Sequence, residues 1–151
     1  MTATTLAGIP RQLGHVALRV RDVDRAVQFY VDVVGLRLCH RGRGAAFLGA
    51  REDASHELAL FPLPDGAAGP DPTQVGMYHM AWEMASFAEL EQLHERLLAG
   101  GARVVGYSDN QSNVMFLDPD GNELEAFWEP PNEERAAAGG AGEIPRQRLR
   151  H

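Results

Sequence analysis

Cysteine is almost absent from this sequence, which contains Cys39 alone among 151 residues. A single cysteine cannot form an internal disulfide bond, and chains without disulfide bonds are typical of reducing compartments. The N-terminal residues lack the basic region and apolar run of a secretory signal, so we expect a cytoplasmic protein. No apolar stretch approaches the length that crosses a bilayer, so we expect no membrane association.

Basic clusters and two common catalytic or binding motifs are also lacking. The net charge is −7 and no run of basic residues occurs, so we expect no nucleic-acid partner. The sequence has neither a Gly-x-Ser-x-Gly nucleophile motif nor a Gly-rich phosphate loop. Serine-hydrolase chemistry of that type and P-loop nucleotide binding are therefore not predicted.

What is present is a central domain between two loose ends. The ends have no hydrophobic periodicity, and a Pro- and Gly-rich stretch divides the centre into halves of similar length. The predicted divisions are a flexible N-terminus (1–11), a domain (12–129) made of module one (12–62), a linker (63–75) and module two (76–129), and a mobile C-terminal tail (130–151).

The two modules repeat each other weakly. Each begins with a histidine, His15 or His79, followed by an alternating strand and then a helical pattern capped by Asp22 or Ser86. Three short strands follow each helix, so each module is predicted to be a βαβββ unit and the fold class to be α+β. The predicted strands after the helices are 36–40, 44–50 and 56–62 in module one, and 103–107, 112–117 and 122–129 in module two.

The repeat places residues with metal-binding side chains at matching positions. His15 and His79 start the first strand of each module, and Glu57 and Glu125 lie in the last strands. Two imidazoles and one carboxylate form a set that suits a divalent metal with open coordination positions. We therefore predict a metal site made of His15, His79 and Glu125, to which Glu57 can add a fourth ligand.

Strand alternation leaves the roles of His56 and Glu57 open, because adjacent residues of a strand face opposite sides. Simple alternation directs Glu57 towards the site and His56 towards the helix, whereas a β-bulge would reverse this. Among the other histidines, His94 is predicted to be exposed on the second helix. Five aromatic residues can either fill the core or line a pocket: Phe47, Phe61, Trp82, Phe116 and Phe127.

Three segments, "GHVALRVRDVDRAVQFYVDVVGLRL", "GMYHMAWEM" and "FLDPDGNELEAFW", resemble the vicinal oxygen chelate superfamily over residues 12–129. This superfamily includes glyoxalase I, extradiol ring-cleaving dioxygenases, fosfomycin-resistance proteins and bleomycin-binding proteins. The resemblance implies paired βαβββ units that form a cup around a metal, with His15, His79 and Glu125 at the ligand positions. It also implies a homodimer, in which one known arrangement builds each cup from two chains.

Within the superfamily, "SHELAL" and "YHMAWE" look most like single-module relatives of catechol 2,3-dioxygenases. The resemblance implies Fe(II), with Mn(II), Zn(II) or Ni(II) as alternatives, a small aromatic diol and O2 as substrates, and His56 as the catalytic acid/base. The alternatives are a glyoxalase- or epimerase-type lyase or isomerase using Glu57, and a non-catalytic drug-binding or resistance protein. Two positions depart from the extradiol pattern, since Met115 replaces a Tyr and Asn110 replaces a His.

Overall fold

The structure of the protein is a computed structural model that describes residues 8–108 and 112–131. Asn110 lies outside these residues, as do residues 1–7 of the predicted N-terminal segment and 132–151 of the predicted tail. The predicted limits of the modules and of the linker stay predictions.

Module one forms the predicted βαβββ unit. Its helix begins after Asp22, whose carboxylate accepts a hydrogen bond from the Arg25 backbone N–H at 3.0 Å, and it ends at Gly35, where φ is +95°. The second half of this helix is π-helical. The elements are β1 (Val16–Val20), α1 (Val23–Gln28) with its π-helical continuation (Phe29–Val34), β2 (Arg37–Gly42), β3 (Ala45–Gly49) and β4 (Leu58–Pro62).

Module two repeats this order of elements. Its helix is capped by Ser86, whose hydroxyl accepts a hydrogen bond from the Glu89 backbone N–H at 3.2 Å. The elements are β5 (Met80–Glu83), α2 (Phe87–Ala99), β6 (Arg103–Tyr107), β7 (Asn113–Leu117) and β8 (Glu123–Phe127). The helices among the described residues are too short or too polar to span a bilayer.

Each module contributes one four-stranded mixed sheet. The strand orders are β1-β4-β3-β2 and β5-β8-β7-β6, with the first strand of each module parallel to its last. The predicted α+β class with two βαβββ modules is therefore confirmed. Among the described strands, β1 and β5 each lie at the edge of their sheet, so each has one side without a strand partner.

One hydrophobic core joins the two modules. Alternation along the strands directs one face of each sheet into this core, and the helices fill the space between them. The helices of the two modules also contact each other. The Arg96 side chain of α2 donates a hydrogen bond of 3.1 Å to the Val33 carbonyl in the helix of module one. The sheet residues of the core are Leu18, Val20, Ala46, Leu48, Leu58, Leu60, Met80, Val114, Phe116, Leu124 and Ala126.

A buried side-chain pair fixes the helix of module one to the β7–β8 turn of module two. Tyr30 is fully buried, and its hydroxyl donates a hydrogen bond of 2.8 Å to the Asp118 carboxylate, which is 5% exposed. Burial raises the pKa of the Tyr30 phenol well above its usual range, and the charge of Asp118 adds to the increase. The pair therefore depends on a protonated phenol.

We predict that Tyr30→Phe lowers the free energy of unfolding by about 1.5–3 kcal/mol near neutral pH, because a buried carboxylate loses a hydroxyl donor. Urea unfolding followed by circular dichroism measures this change. Tyr78→Phe is the matched control, since the Tyr78 side chain is 75% exposed, and it should leave the unfolding free energy nearly unchanged.

The same urea unfolding experiment, repeated at several pH values, checks how the stabilisation by Tyr30 depends on pH. The folded state holds the Tyr30 proton more tightly than the unfolded chain, so its contribution is complete below the unfolded pKa of about 10 and is lost as pH rises through the folded pKa. Wild type should therefore lose stability more steeply than Tyr30→Phe above that pH. Equal slopes for the two proteins would contradict the assigned role.

Candidate metal centre

His79 and Glu125 form a close pair on the sheet of module two. Ala81 and Glu125 are register partners on the parallel strands β5 and β8, and His79 precedes Ala81 by two residues, which places it on the same face. The Nε2 atom of His79 lies 3.2 Å from Oε2 of Glu125. Both side chains are partly exposed, at 29% and 18% respectively, so the pair is accessible from outside the chain.

The donor set of this pair fits a divalent metal. Two ligands that each lie about 2.0–2.2 Å from an ion, at a right angle, are about 3 Å apart, which matches the observed separation. The second ring nitrogen of His79, Nδ1, is buried and has no hydrogen-bond partner among the described residues. A metal-bound imidazole usually donates its other N–H to an acceptor. Such an acceptor is not supplied by the described part of one chain.

His15 and His56 form a second pair, on the sheet of module one. Their ring centroids are 4.7 Å apart, and the Ser55 hydroxyl lies 3.2 Å from Nδ1 of His56. The His56 ring also contacts Phe47 edge-on, at 5.1 Å between centroids. Phe47 in turn contacts the Phe61 ring at 6.1 Å. Imidazole and aromatic rings therefore share the open face of this sheet.

A β-bulge before β4 explains why His56, and not Glu57, lies beside His15. Leu58 is the register partner of Leu48, yet the Glu57 N–H also donates to the Leu48 carbonyl at 2.8 Å, so two residues lie opposite one. The expectation from simple alternation, which directed Glu57 towards the site and His56 towards the helix, is therefore wrong. The alternative with a bulge is the one that the structure adopts.

The Glu57 carboxylate is bound within the loop between β3 and β4. Its Oε2 accepts hydrogen bonds from the backbone N–H groups of Ala50 and Arg51, at 2.7 and 3.1 Å, and its Oε1 lies 3.0 Å from Nε of Arg51. Both carboxylate oxygens thus have partners inside the chain. A role of Glu57 as a fourth ligand would require breaking this arrangement.

The predicted site residues come together as two pairs and not as one set. Among the described residues, no three His, Cys, Asp or Glu side chains of one chain are placed to hold a metal ion. Two surface clefts, of about 540 and 890 Å³, are lined by other residues. The described residues of one chain therefore form two pairs, one on each module, which are called half-sites below, and the complete ligand set of His15, His79 and Glu125 stays a prediction.

Sequence reasoning missed Asn113, a further polar side chain that is bonded to the predicted ligand Glu125. Its side-chain amide donates a short hydrogen bond to Oε1 of Glu125. Alternation along β7 places Asn113 on the same face as Met115, whose register partner is Glu125, and this signal could have identified it. Met115, the position of the Tyr in extradiol enzymes, thus lies directly opposite the predicted carboxylate ligand.

The prediction that His94 is exposed is wrong. His94 is 2% exposed, and its Nε2 lies 2.9 Å from the Tyr107 hydroxyl. Helical spacing accounts for its burial, because residues 90 and 97 are three or four positions away on the same face and are both buried leucines. Of the aromatic residues that could fill the core or line a pocket, Phe116 is buried in the core and Trp82 packs against the core. Phe61 is 43% exposed.

Comparison with known proteins identifies the family. A family model described as Glyoxalase/Bleomycin resistance protein/Dioxygenase superfamily matches residues 12–126. The chain belongs to this superfamily. The resemblance drawn from the three sequence segments is thus confirmed.

Members of the superfamily with different activities are similar to this chain. The catechol-2,3-dioxygenase of Bacillus subtilis (strain 168) is 30% identical over 121 residues, which cover 79% of this chain and 42% of that enzyme. The glutathione transferase FosA of Serratia marcescens is 31% identical over 119 residues, which cover 76% of this chain and 79% of that enzyme. This chain thus spans less than half of the dioxygenase but most of the transferase.

A solved structure supports the fold. The crystal structure of a glyoxalase/dioxygenase from Nostoc punctiforme superposes with a TM-score of 0.71 at 21% sequence identity, covering 86% of this chain and 99% of that chain. Family membership and fold are therefore established, and the superfamily includes several kinds of enzyme.

We predict that Glu125→Gln loses most of its bound metal, whereas Glu57→Gln keeps it. The Glu125 carboxylate faces His79, and an amide there removes the negative charge that a divalent ion requires. Glu57→Gln should instead lower the free energy of unfolding by about 1–3 kcal/mol, because its bonds stabilise a loop.

Elemental analysis after dialysis against Fe(II) or Mn(II) measures the bound metal, and urea unfolding measures the stability. The two variants make the same Glu→Gln change, one in the loop before β4 and the other within β8. Equal loss of metal in both would refute this division of roles.

Proposed function

We propose that this chain is a metal-dependent, extradiol-type ring-cleaving dioxygenase that acts on a catechol-like aromatic diol. The observation that carries the proposal is the β-bulge before β4, which sets His56 beside His15 and leaves Glu57 bonded to the loop. An acid/base histidine next to a predicted metal ligand supports dioxygenation. An isomerase that relies on Glu57 is not favoured by the same arrangement.

His15, His79 and Glu125 are the residues that we propose to hold Fe(II). When bound, the ion would supply open coordination positions and Lewis acidity to a diol and to O2. The two imidazoles are neutral donors and the carboxylate carries one negative charge. A divalent ion bound by this set therefore keeps a net positive charge. That charge would favour a diol that has lost a proton.

His56 is the residue that we propose to move this proton. Its Nδ1 lies 3.2 Å from the Ser55 hydroxyl, and in the tautomer whose Nδ1–H donates to that hydroxyl, Nε2 accepts a proton from a diol hydroxyl. The His15 contact at 4.7 Å keeps the His56 ring next to the proposed metal ligand. A positioned imidazole can both take up a proton and return it during a reaction near neutral pH.

Phe47 and Phe61 support an aromatic substrate. Both rings lie on the open face of the module one sheet, and Phe47 directly contacts His56. Phe61 is 43% exposed, so part of its ring is available to a ligand. An aromatic diol packed edge-on or offset against these rings would bury apolar area while its hydroxyls face the histidines.

We further propose that the active form is a homodimer in which each site combines module one of one chain with module two of its partner. The two half-sites lie beside β1 and β5, each of which forms one of the two edges of its sheet. Exposed apolar side chains precede both edges, with Leu13 at 81% and Tyr78 at 75%. Such exposure next to an unpaired edge is typical of an interface.

Isomerisation of the glyoxalase or epimerase type is the second candidate. Met115 lies opposite Glu125, where extradiol enzymes usually carry a Tyr, and its side chain cannot donate a hydrogen bond to a substrate or to O2. The oxygen-uptake experiment below distinguishes the candidates, because isomerisation consumes no O2.

We predict that the Fe(II)-loaded protein consumes O2 with catechols or biphenyl diols and forms yellow ring-opened products. His56→Ala should keep its iron but lower kcat by about 10²–10⁴-fold, because it loses the proton-transferring imidazole. Oxygen electrode and absorbance measurements follow the reaction, and elemental analysis verifies the iron.

His40→Ala is the matched control for this variant. The His40 ring stacks on the Phe47 ring, with 5.8 Å between the ring centroids. Among the described residues, His40 has no ring contact with His15. It should retain most of the activity. Iron-loaded wild type that takes up no O2 with any of these diols would rule out the dioxygenase and leave the isomerase.

We also predict complementation between His15→Ala and His79→Ala, which should each be inactive alone. In a mixed dimer with shared sites, one site has lost both histidines and the other keeps both. Random reassociation makes about half of the dimers mixed, so the mixture should recover about one quarter of wild-type activity and bound iron.

Mixing His15→Ala with Glu125→Gln should recover the same fraction of activity, because these two changes also fall in different half-sites. This mixture is an independent repeat of the first. Mixing His79→Ala with Glu125→Gln is the negative control, since both changes fall in one half-site. Sedimentation of wild type as a monomer, or no recovery in the first two mixtures, would exclude sites shared between chains.

A further inference from the structure

We infer that Asn113 is a positioning residue that makes Glu125 a one-oxygen ligand of the proposed metal. This inference rests on the proposed function, because it concerns how the chain presents Glu125 to an ion. Asn113 and Glu125 lie diagonally across β7 and β8, since Met115 is the register partner of Glu125 and Phe127 that of Asn113. Side chains in such diagonal positions are within reach of each other.

The orientation of the Asn113 amide follows from its two partners. Its Oδ1 accepts a hydrogen bond of 2.5 Å from the Ser108 backbone N–H, which can only donate. The amide nitrogen must therefore be the atom that faces Glu125, and it donates to Oε1. A flipped amide would place oxygen against a carboxylate and nitrogen against an N–H, and would lose both bonds.

The two oxygens of Glu125 consequently have different roles. Oε1 is held by the Asn113 amide, while Oε2 faces Nε2 of His79 at 3.2 Å. Only Oε2 is thus directed to the place where an ion would contact His79.

Loss of the amide should therefore weaken metal binding without removing a ligand. Without it, the carboxylate can rotate away from His79 or bind the ion through both oxygens. Partners that orient a metal ligand typically change metal affinity by about 10–100-fold when they are removed.

Co(II) titration of the metal-free full-length protein, followed by visible absorption, tests the inference. We expect Asn113→Asp and Asn113→Ala to bind Co(II) about 10–100-fold more weakly than wild type. In Asn113→Ala, binding through both carboxylate oxygens raises the coordination number, so the visible bands per bound Co(II) should also weaken. A merely structural role would leave these bands unchanged.

Asn122→Asp is the matched control in the same hairpin. The Asn122 amide donates a bond of 2.9 Å to the Asp118 carboxylate, which is not a predicted ligand. This variant should lower thermal stability but leave Co(II) affinity and the visible bands as in wild type.

The outcomes separate this inference from the function on which it rests. Wild type that binds no Co(II) overturns both. Wild type that binds Co(II), together with Asn113 variants that bind it equally or more tightly, overturns the role of Asn113 alone. Asn113 variants with weak binding and altered bands, beside an unaffected Asn122→Asp, support it.

Discussion

The buried Asp118 carboxylate organises the part of the molecule on which the candidate site depends. It accepts hydrogen bonds from the Tyr30 hydroxyl, from the backbone N–H groups of Asp120 and Asn122, and from the Asn122 side chain. The two backbone N–H bonds hold the turn between β7 and β8, and the register of these strands places Glu125 opposite Met115. The bond to Tyr30 attaches this hairpin to the helix of module one. One carboxylate thus links the β7–β8 turn to the packing of the two modules.

Local sequence signals predicted most of the fold, because caps and hydrophobic periodicity depend on residues that are close together in the sequence. Capping by Asp22 and Ser86 fixed the starts of the helices, and β6 has the predicted bounds of 103–107. The main error concerned the start of β4, where two residues face one on the neighbouring strand. Alternation holds only within regular pairing, so it could not determine which way His56 and Glu57 point.

The candidate site was harder to predict, because it depends on contacts between distant residues. The repeat matched His15 with His79 and Glu57 with Glu125, but such a match between modules does not reveal how the modules meet. In the structure the predicted residues lie in two pairs, on sheets whose other faces share a core. Asn113 was missed for a related reason, since its role appears only once the β7–β8 pairing brings it to Glu125.

The open edges of β1 and β5 also determine which unwanted associations the chain avoids. Exposed strand edges invite pairing with any similar edge, and natural proteins limit this with charged side chains. β1 carries the exposed Arg19, whereas β5 is four residues long and carries the exposed Glu83. Pairing β1 with β1, or β5 with β5, brings like charges to a common edge, while pairing β1 with β5 joins opposite ones. The opposite charges of Arg19 and Glu83 therefore favour pairing of β1 with β5 over pairing of either strand with a copy of itself.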